Sequence, residues 1–314
     1  MATKSKQLDL FLSLTPSLIP NKSNKELMER CWFDLSKNKT RTSIVHTGRD
    51  EKRNIDFSVK IENNEGIGLA TIYDMDLLVF ITSLLMEKVN KGVKITSREI
   101  VFTGYEYFYF TNKVRSGRSD LEFQESLDRL HKTRITTTIK NEKTRKGFST
   151  FYWISEWKKL EENGRVVGYS VVIPEWIFRG VTDKSRVLTL DDEYFHIRGG
   201  LNRFLYLLCR RARDQKSVTS KGSKSWSESF ESIYKKSGII SPKKSFVHRL
   251  RKIISRQSVP NYYLEEKTPE VLTISRTRSS YHLKPKSKVI DISQKEQHDK
   301  IKNSPSLHPD LFHK

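Results

Sequence analysis

Ser245, His248, Arg249, Lys252 and Arg256 recur at three- and four-residue intervals, so a helix through them aligns hydroxyl, imidazole, guanidinium and ammonium donors along one stripe. Phe246, Leu250 and Ile253, with Val247 and Ile254 beside them, fall on the opposite stripe. A helix divided in this way anchors its apolar side on its own domain and offers cations to a polyanion. Double-stranded nucleic acid is the partner that fits. Arg249 and Lys252 have the donors to read guanine edges, while Lys243, Lys244 and Arg256 suit phosphate oxygens, with Arg251 on the same helix. Upstream, Arg210, Arg211 and Arg213 can hold a neighbouring phosphate, or sit in water at a helix end where cations favour the dipole. The stretch His196–Arg256 holds sixteen Lys and Arg against three acids, more than half of the chain's formal charge of +21.

Other chemistries find little support. None of the fourteen glycines is followed by Lys, which removes a phosphate-cradling loop of the Gly-Lys type. The eight histidines contain no His-x-His pair, as a metal-dependent nicking enzyme would need, and neither a nucleophile elbow nor a zinc-hydrolase pattern is present. Cys31 and Cys209 stand far apart without a Cys-x-x-Cys companion, which leaves neither a disulfide framework nor a zinc site. Apolar runs such as Leu77–Ile81 fall far short of the roughly 20 residues that span a bilayer. The expectation is a cytoplasmic, cofactor-free, metal-free DNA binder with no enzymatic activity and no membrane partner. An RNA-binding protein fits the charge alone.

The elements that must position these donors follow from periodicity. A length of 314 residues allows two domains and tails, and an apolar content of 36% with mean hydropathy −0.61 leaves part of the chain without a core. Residues 1–54 read as a flexible arm. Residues 55–185 form a first unit, with a strand at Ile55–Ile61, a helix over Tyr73–Lys88 favoured at its start by Asp74, and a short helix over Thr96–Val101 with capping-box spacing between Thr96 and Glu99. A helix over Arg118–Lys132 follows, with Leu121, Phe123, Leu127 and Leu130 as core candidates. Next comes a ribbon, Arg134–Ile139 and Phe148–Ile154, with a basic tip at Lys140, Lys143, Arg145 and Lys146. Three helices followed by a ribbon is the order of a winged helix-turn-helix.

Residues 186–283 repeat that order with helices over Asn202–Arg213, Trp226–Lys236 and Ser241–Arg256, Ser241 and Pro242 serving as N-cap and first helical residue, and strands at Asn261–Leu264 and Val271–Ser275. Residues 284–314 read as a disordered tail. The fold class expected is α+β, two tandem winged helix-turn-helix domains between an arm and a tail. The Arg118–Lys132 helix mixes Glu122 and Glu125 with Arg129 and Lys132, so the first unit either touches DNA through its ribbon tip or packs against a second protomer. The aromatic run Tyr105–Phe110 reads as core and strand, with stacking on unpaired bases as the rival. Trp153, Trp157 and Trp176 read as core in the same way.

Gln7-Leu8-Asp9-Leu10-Phe11 resembles the pentapeptide by which bacterial replication proteins dock on the sliding clamp, and Pro309–Phe312 is a weaker echo of it. The stretches Trp32–Lys37, Gly68–Asp76 and Phe195–Arg211, taken with the basic helix, resemble the replication initiator protein A family of bacterial plasmids over about residues 30–283. That resemblance implies binding to repeats in a plasmid origin, opening of an adjacent A·T-rich stretch, and assembly of host initiator, helicase and polymerase. It also implies a self-associating form that represses its own promoter. A winged-helix transcriptional regulator without a replication role is the alternative, and it gives the pentapeptide no task.

Overall fold

In the computed structural model, the residues described are 19–37, 40–50, 55–138, 148–182, 186–219 and 225–276. Gln7–Phe11, Lys140, Lys143, Arg145, Lys146 and the 284–314 tail lie outside them. Alternating β-branched and polar residues build a four-stranded antiparallel sheet in the order β2 (Ser43–Asp50), β3 (Ile55–Glu62), β5 (Arg134–Thr137), β6 (Ser149–Tyr152). Ile44, Val59, Ile61, Ile135 and Phe151 turn to its buried face, whereas Val45 and Tyr152 remain exposed on the other.

The core centres on α2 (Met75–Asn90), whose residues Met75–Met86 are all buried. Asp74 precedes it without capping it. Its carboxylate accepts the Thr71 backbone N–H at 2.7 Å and a two-pronged bond from Arg129 at 2.9 and 2.7 Å. Arg129 is therefore buried, and not on the mixed outer stripe expected of it. The expected helix over Thr96–Val101 is instead β4 (Glu99–Phe102), because Ile100 and Phe102 bury as a strand against β8 (Arg165–Val172). The capping box lies seven residues later, where Thr103 and Glu106 bond reciprocally to open α3 (Gly104–Phe110). The aromatic run is thus core as expected, but helical, and Phe80 meets Phe102 and Phe110 edge-on at 5.1 and 5.2 Å. In α4 (Gly117–Lys132), Phe123, Leu127 and Leu130 are buried, while Leu121 is 63% exposed on the solvent side.

The ribbon expected to follow α4 joins β3, and a different hairpin completes the three-stranded sheet β4-β8-β7, with β7 spanning Glu156–Glu162. Its tip, Asn163-Gly164, has positive φ at both residues, as a two-residue hairpin turn requires. Trp153 is fully buried, and its ring stacks on Phe33 at 4.4 Å. A helix not foreseen, α5 (Glu175–Thr182), precedes β9 (Val187–Thr189).

The second half begins with α6 (Gly200–Thr219). The expected helix over Trp226–Lys236 is split into β10 (Ser225–Ser229), whose alternating Ser-Trp-Ser-Glu-Ser pairs with β12 (Val271–Arg276), and α7 (Phe230–Ser237), capped by Ser229 and ended by left-handed Gly238. The basic helix α8 (Lys243–Arg256) follows with Pro242 as N-cap, one residue later than expected, and then β11 (Tyr262–Thr268). The sheet order β10-β12-β11 repeats β4-β8-β7, so helix, strand, helix, helix, hairpin occurs twice, with β5 and β6 inserted before the hairpin in the first half.

The arm is shorter than expected. β1 (Lys22–Asn24) pairs with β9, α1 (Glu26–Glu29) leans on α6, and Cys31 donates its backbone N–H to the Lys236 carbonyl at 2.9 Å. Residues Pro20–Ser280 make one compact unit. The two halves are joined through Asp76, fully buried at the start of α2, which accepts Arg203 of α6 at 2.6 Å and Lys113 at 2.9 Å. No helix among the described residues is long and apolar enough to cross a membrane.

Candidate nucleic-acid interface

Helix α8 is held on three sides. Phe246, Val247, Leu250 and Ile253 are buried beneath it. Its N-terminal turn is fixed by the Tyr234 hydroxyl, which donates to the Ser241 carbonyl at 2.8 Å, and by the Tyr234–Phe246 ring contact. At its C-terminus left-handed Gln257 closes the last turn, and its side-chain amide pairs with both backbone groups of Leu264 at 2.7 and 3.0 Å. The helix therefore cannot roll about its axis without breaking a cap and a core.

Rigid seating gives its outer stripe a defined direction. Lys244, Ser245, His248, Arg249, Lys252 and Arg256 are all exposed. Arg249 lies back along the helix, donating to Ser241 Oγ at 2.5 Å. Lys244, Lys252 and Arg256 form no ion pair with any described residue, and α8 itself contains no acid. Four cations and two further donors or acceptors thus face solvent from one rod, which suits a phosphate-lined groove about 12 Å wide.

The flank toward the β11–β12 hairpin differs. Lys243 sits between Glu231 at 3.0 Å and Glu270 at 3.1 Å. Arg251 forks onto Glu266, Nε and Nη2 donating at 3.0 and 2.9 Å. These contacts hold the Glu231 and Glu266 carboxyls below their ordinary range, through the Lys243 and Arg251 hydrogen bonds respectively, and raise both cations. Both cations were expected to face nucleic acid, and both are already engaged. The basic cluster on α6 is divided in the same way. Arg210 donates to the Thr189 carbonyl at 2.8 Å, Arg211 bridges Glu29 and Asp214 at 2.7 and 3.0 Å, and Arg213 is exposed. Arg203, counted in the positive stretch, is buried on Asp76.

A sequence model of the replication initiator protein A family matches residues 22–264, which takes in both halves and all of α8. The chain belongs to the replication initiator protein A family. Within this family setting, a protein of Wigglesworthia glossinidia brevipalpis, provisionally named a replication protein, is 30% identical over 253 residues, covering 79% of this chain and 86% of its own. Among solved structures, domains 2 and 3 of RctB superpose with a TM-score of 0.57 at 14% identity, over 81% of this chain and 98% of that one. A second crystal structure of the same two domains gives 0.50 at 11% identity over 78% and 95%. At that identity the likeness is one of fold, and it covers both halves of the initiator together.

Glu231 is one of the three acids within the basic stretch His196–Arg256, and Glu266 and Glu270 lie beyond it. Spacing along α7 and α8 could not reveal them, since the hairpin that returns them to the helix flank begins after Pro260. The signal available was the acid-rich hairpin tip itself, Glu265-Glu266-Lys267-Thr268-Pro269-Glu270, where a phosphate-touching ribbon would carry cations. In the first half, Arg118 pairs with Glu122 at 3.1 Å and Lys132 with Glu65 at 2.8 Å, so α4 presents a balanced surface.

Proposed function

We propose that this initiator is a non-enzymatic, sequence-specific binder of double-stranded DNA that starts plasmid replication by docking on origin repeats. In this reading the two repeated units are winged helix-turn-helix modules. In each, the third helix lies in a major groove, and α8 is the principal reader. Arg249 and Lys252 read base edges, and Lys244, Arg256 and Arg213 meet phosphates. The single observation that carries it is the exposed cationic stripe of α8 on a helix whose opposite stripe is sealed in its own core. The first-unit wing becomes β7–β8 in place of the 134–152 ribbon, because only β7–β8 pairs with the strand between the first two helices.

Bound host factors complete the role. The Gln7–Phe11 pentapeptide is the proposed contact for a sliding clamp, with helicase and host initiator recruited to the opened origin and self-association switching between repression and initiation. The protein acts in the cytoplasm, on the plasmid.

Footprinting on the plasmid's origin tests this reading: regularly spaced protection is expected, and a single isolated operator would favour the regulator instead. Replacing Arg249 or Lys252 by Ala is expected to cost about 1–3 kcal/mol of specific binding and relax discrimination. Equal weakening on every sequence would demote both to phosphate contacts. If Lys244, Arg256 and Arg213 each neutralise a phosphate, log affinity falls against log salt with a slope of about −2.7 or steeper. Deleting residues 1–12 should abolish plasmid establishment while leaving origin binding intact.

A further inference from the structure

The two flanks of α8 carry opposite electrostatics, and the contrast is built by three acids from two different elements. Glu231 comes from the first turn of α7, while Glu266 and Glu270 come from the β11–β12 hairpin. The hairpin acids are held in place by each other's surroundings, since the Glu270 backbone N–H donates to Glu266 Oε1 at 2.9 Å. They converge on Lys243 and Arg251, two cations that lie two helical turns apart on one side of the rod. On the other side Lys252 and Arg256 have no such partner among the described residues. Half-exposed ion pairs of this kind contribute little to folding, so stability does not account for them. Their effect falls on the field that an approaching duplex meets. Along one flank a phosphate row meets three carboxylates and two cancelled cations; along the other it meets cations alone.

We propose that Glu231, Glu266 and Glu270 are specificity-determining residues that occupy Lys243 and Arg251 in place of phosphate, withholding two cations from sequence-independent DNA binding. Phosphate contacts supply nearly all of a DNA binder's affinity for the wrong sequence. An acid fence on one side of a reading helix lowers that background while leaving the base-reading stripe untouched. It also assigns the β11–β12 hairpin a role opposite to that of a phosphate-gripping wing: it faces away from the backbone and clamps the reader. The inference rests on the duplex-binding reading of α8.

The test uses the full chain and a short mixed-sequence duplex as probe. The triple variant Glu231→Gln, Glu266→Gln, Glu270→Gln frees both cations, so its salt slope is expected to steepen by about 2, with affinity for the mixed duplex rising about tenfold or more at about 0.1 M salt. The ratio of affinity for the footprinted origin fragment to that for the mixed duplex should fall. Adding Lys243→Gln and Arg251→Gln to the triple variant should return the slope to that of the unaltered protein. Should the triple variant not fold, Glu266→Gln alone frees Arg251, and about half the steepening is expected. An unchanged slope overturns the inference, as does a steeper slope that persists once both cations are gone. If the unaltered protein shows no salt-dependent binding to the mixed duplex, the duplex-binding reading itself fails.

Discussion

Imidazole chemistry marks the sharpest internal liability in this molecule. His46 on β2 faces the Gly238 turn at the end of α7, and both its ring nitrogens are buried without a hydrogen-bond partner among the described residues. Burial, with Arg30 nearby, lowers its pKa from 6.5 to about 4. Below about 6.5 the unfolded chain takes up a proton that the folded chain accepts only below about 4. Stability is therefore full above that window and falls as pH drops through it, by up to about 3 kcal/mol. Urea midpoints at about pH 7 and about pH 4.5 check this: His46→Leu should lose markedly less stability on acidification than the unaltered protein, and an equal loss in both would refute it. Nothing in the sequence flags His46, because the Gly238 turn that it faces lies far along the chain. Asp74 was legible as a residue near a helix start, yet its task, holding Arg129, depends on a helix more than forty residues away. By contrast the α8 stripe was readable in full, since helix period alone decides which of its side chains face out.

Elements whose inward faces are set by local period came through, and those decided by distant partners did not. α2, α4 and α8 begin and end within about two residues of their apolar stripes. β4 and β10 are short enough to continue a helical pattern, and only the hairpins that pair with them fix them as strands. The 134–152 ribbon was recognised as a ribbon but attached to the wrong sheet, because strand period says nothing about which edge is free. One contact between elements is tight enough to predict on its own. A Cβ on Gly200, at the start of α6, would lie 1.9 Å from the Leu35 carbonyl oxygen, so no side-chain rotation can relieve it. Gly200→Ala should destabilise by about 1–3 kcal/mol, or prevent folding outright. Thermal unfolding of this variant beside Gly117→Ala, where a Cβ meets nothing, measures the difference; equal melting temperatures would disprove the contact.

Across the whole molecule, charge is spent inside as well as out. Asp76 and Arg203 form a buried junction between the two halves, which the exposed Lys113 also reaches, with Arg203 donating as well to the Ile197 and Phe195 carbonyls. Removing the shared carboxylate leaves a buried guanidinium without its counter-charge. Asp76→Asn is accordingly expected to cost about 3–5 kcal/mol in urea unfolding. Because the junction joins both halves, the unaltered protein is expected to unfold in one cooperative transition, which should broaden or split in this variant. A variant that unfolds in the same sharp step at the same urea concentration would show the junction to be dispensable. The division expected at residue 185, drawn from the repeat of element order, is bridged by contacts of the N-terminal segment: β9 pairs with β1, and Asn21 donates to Asp192.

That crossing has a consequence for how the molecule is made. Lys22–Asn24 can find its strand partner only after Val187–Thr189 has left the ribosome, and the Cys31 amide must wait for Lys236. At about 5–20 residues per second the earliest part of the body stays unsealed for on the order of ten seconds. During that interval Trp32 and Phe33, later buried, are available to other chains, so rapid synthesis and capture by a chaperone should matter more for the yield of this protein than its final stability does.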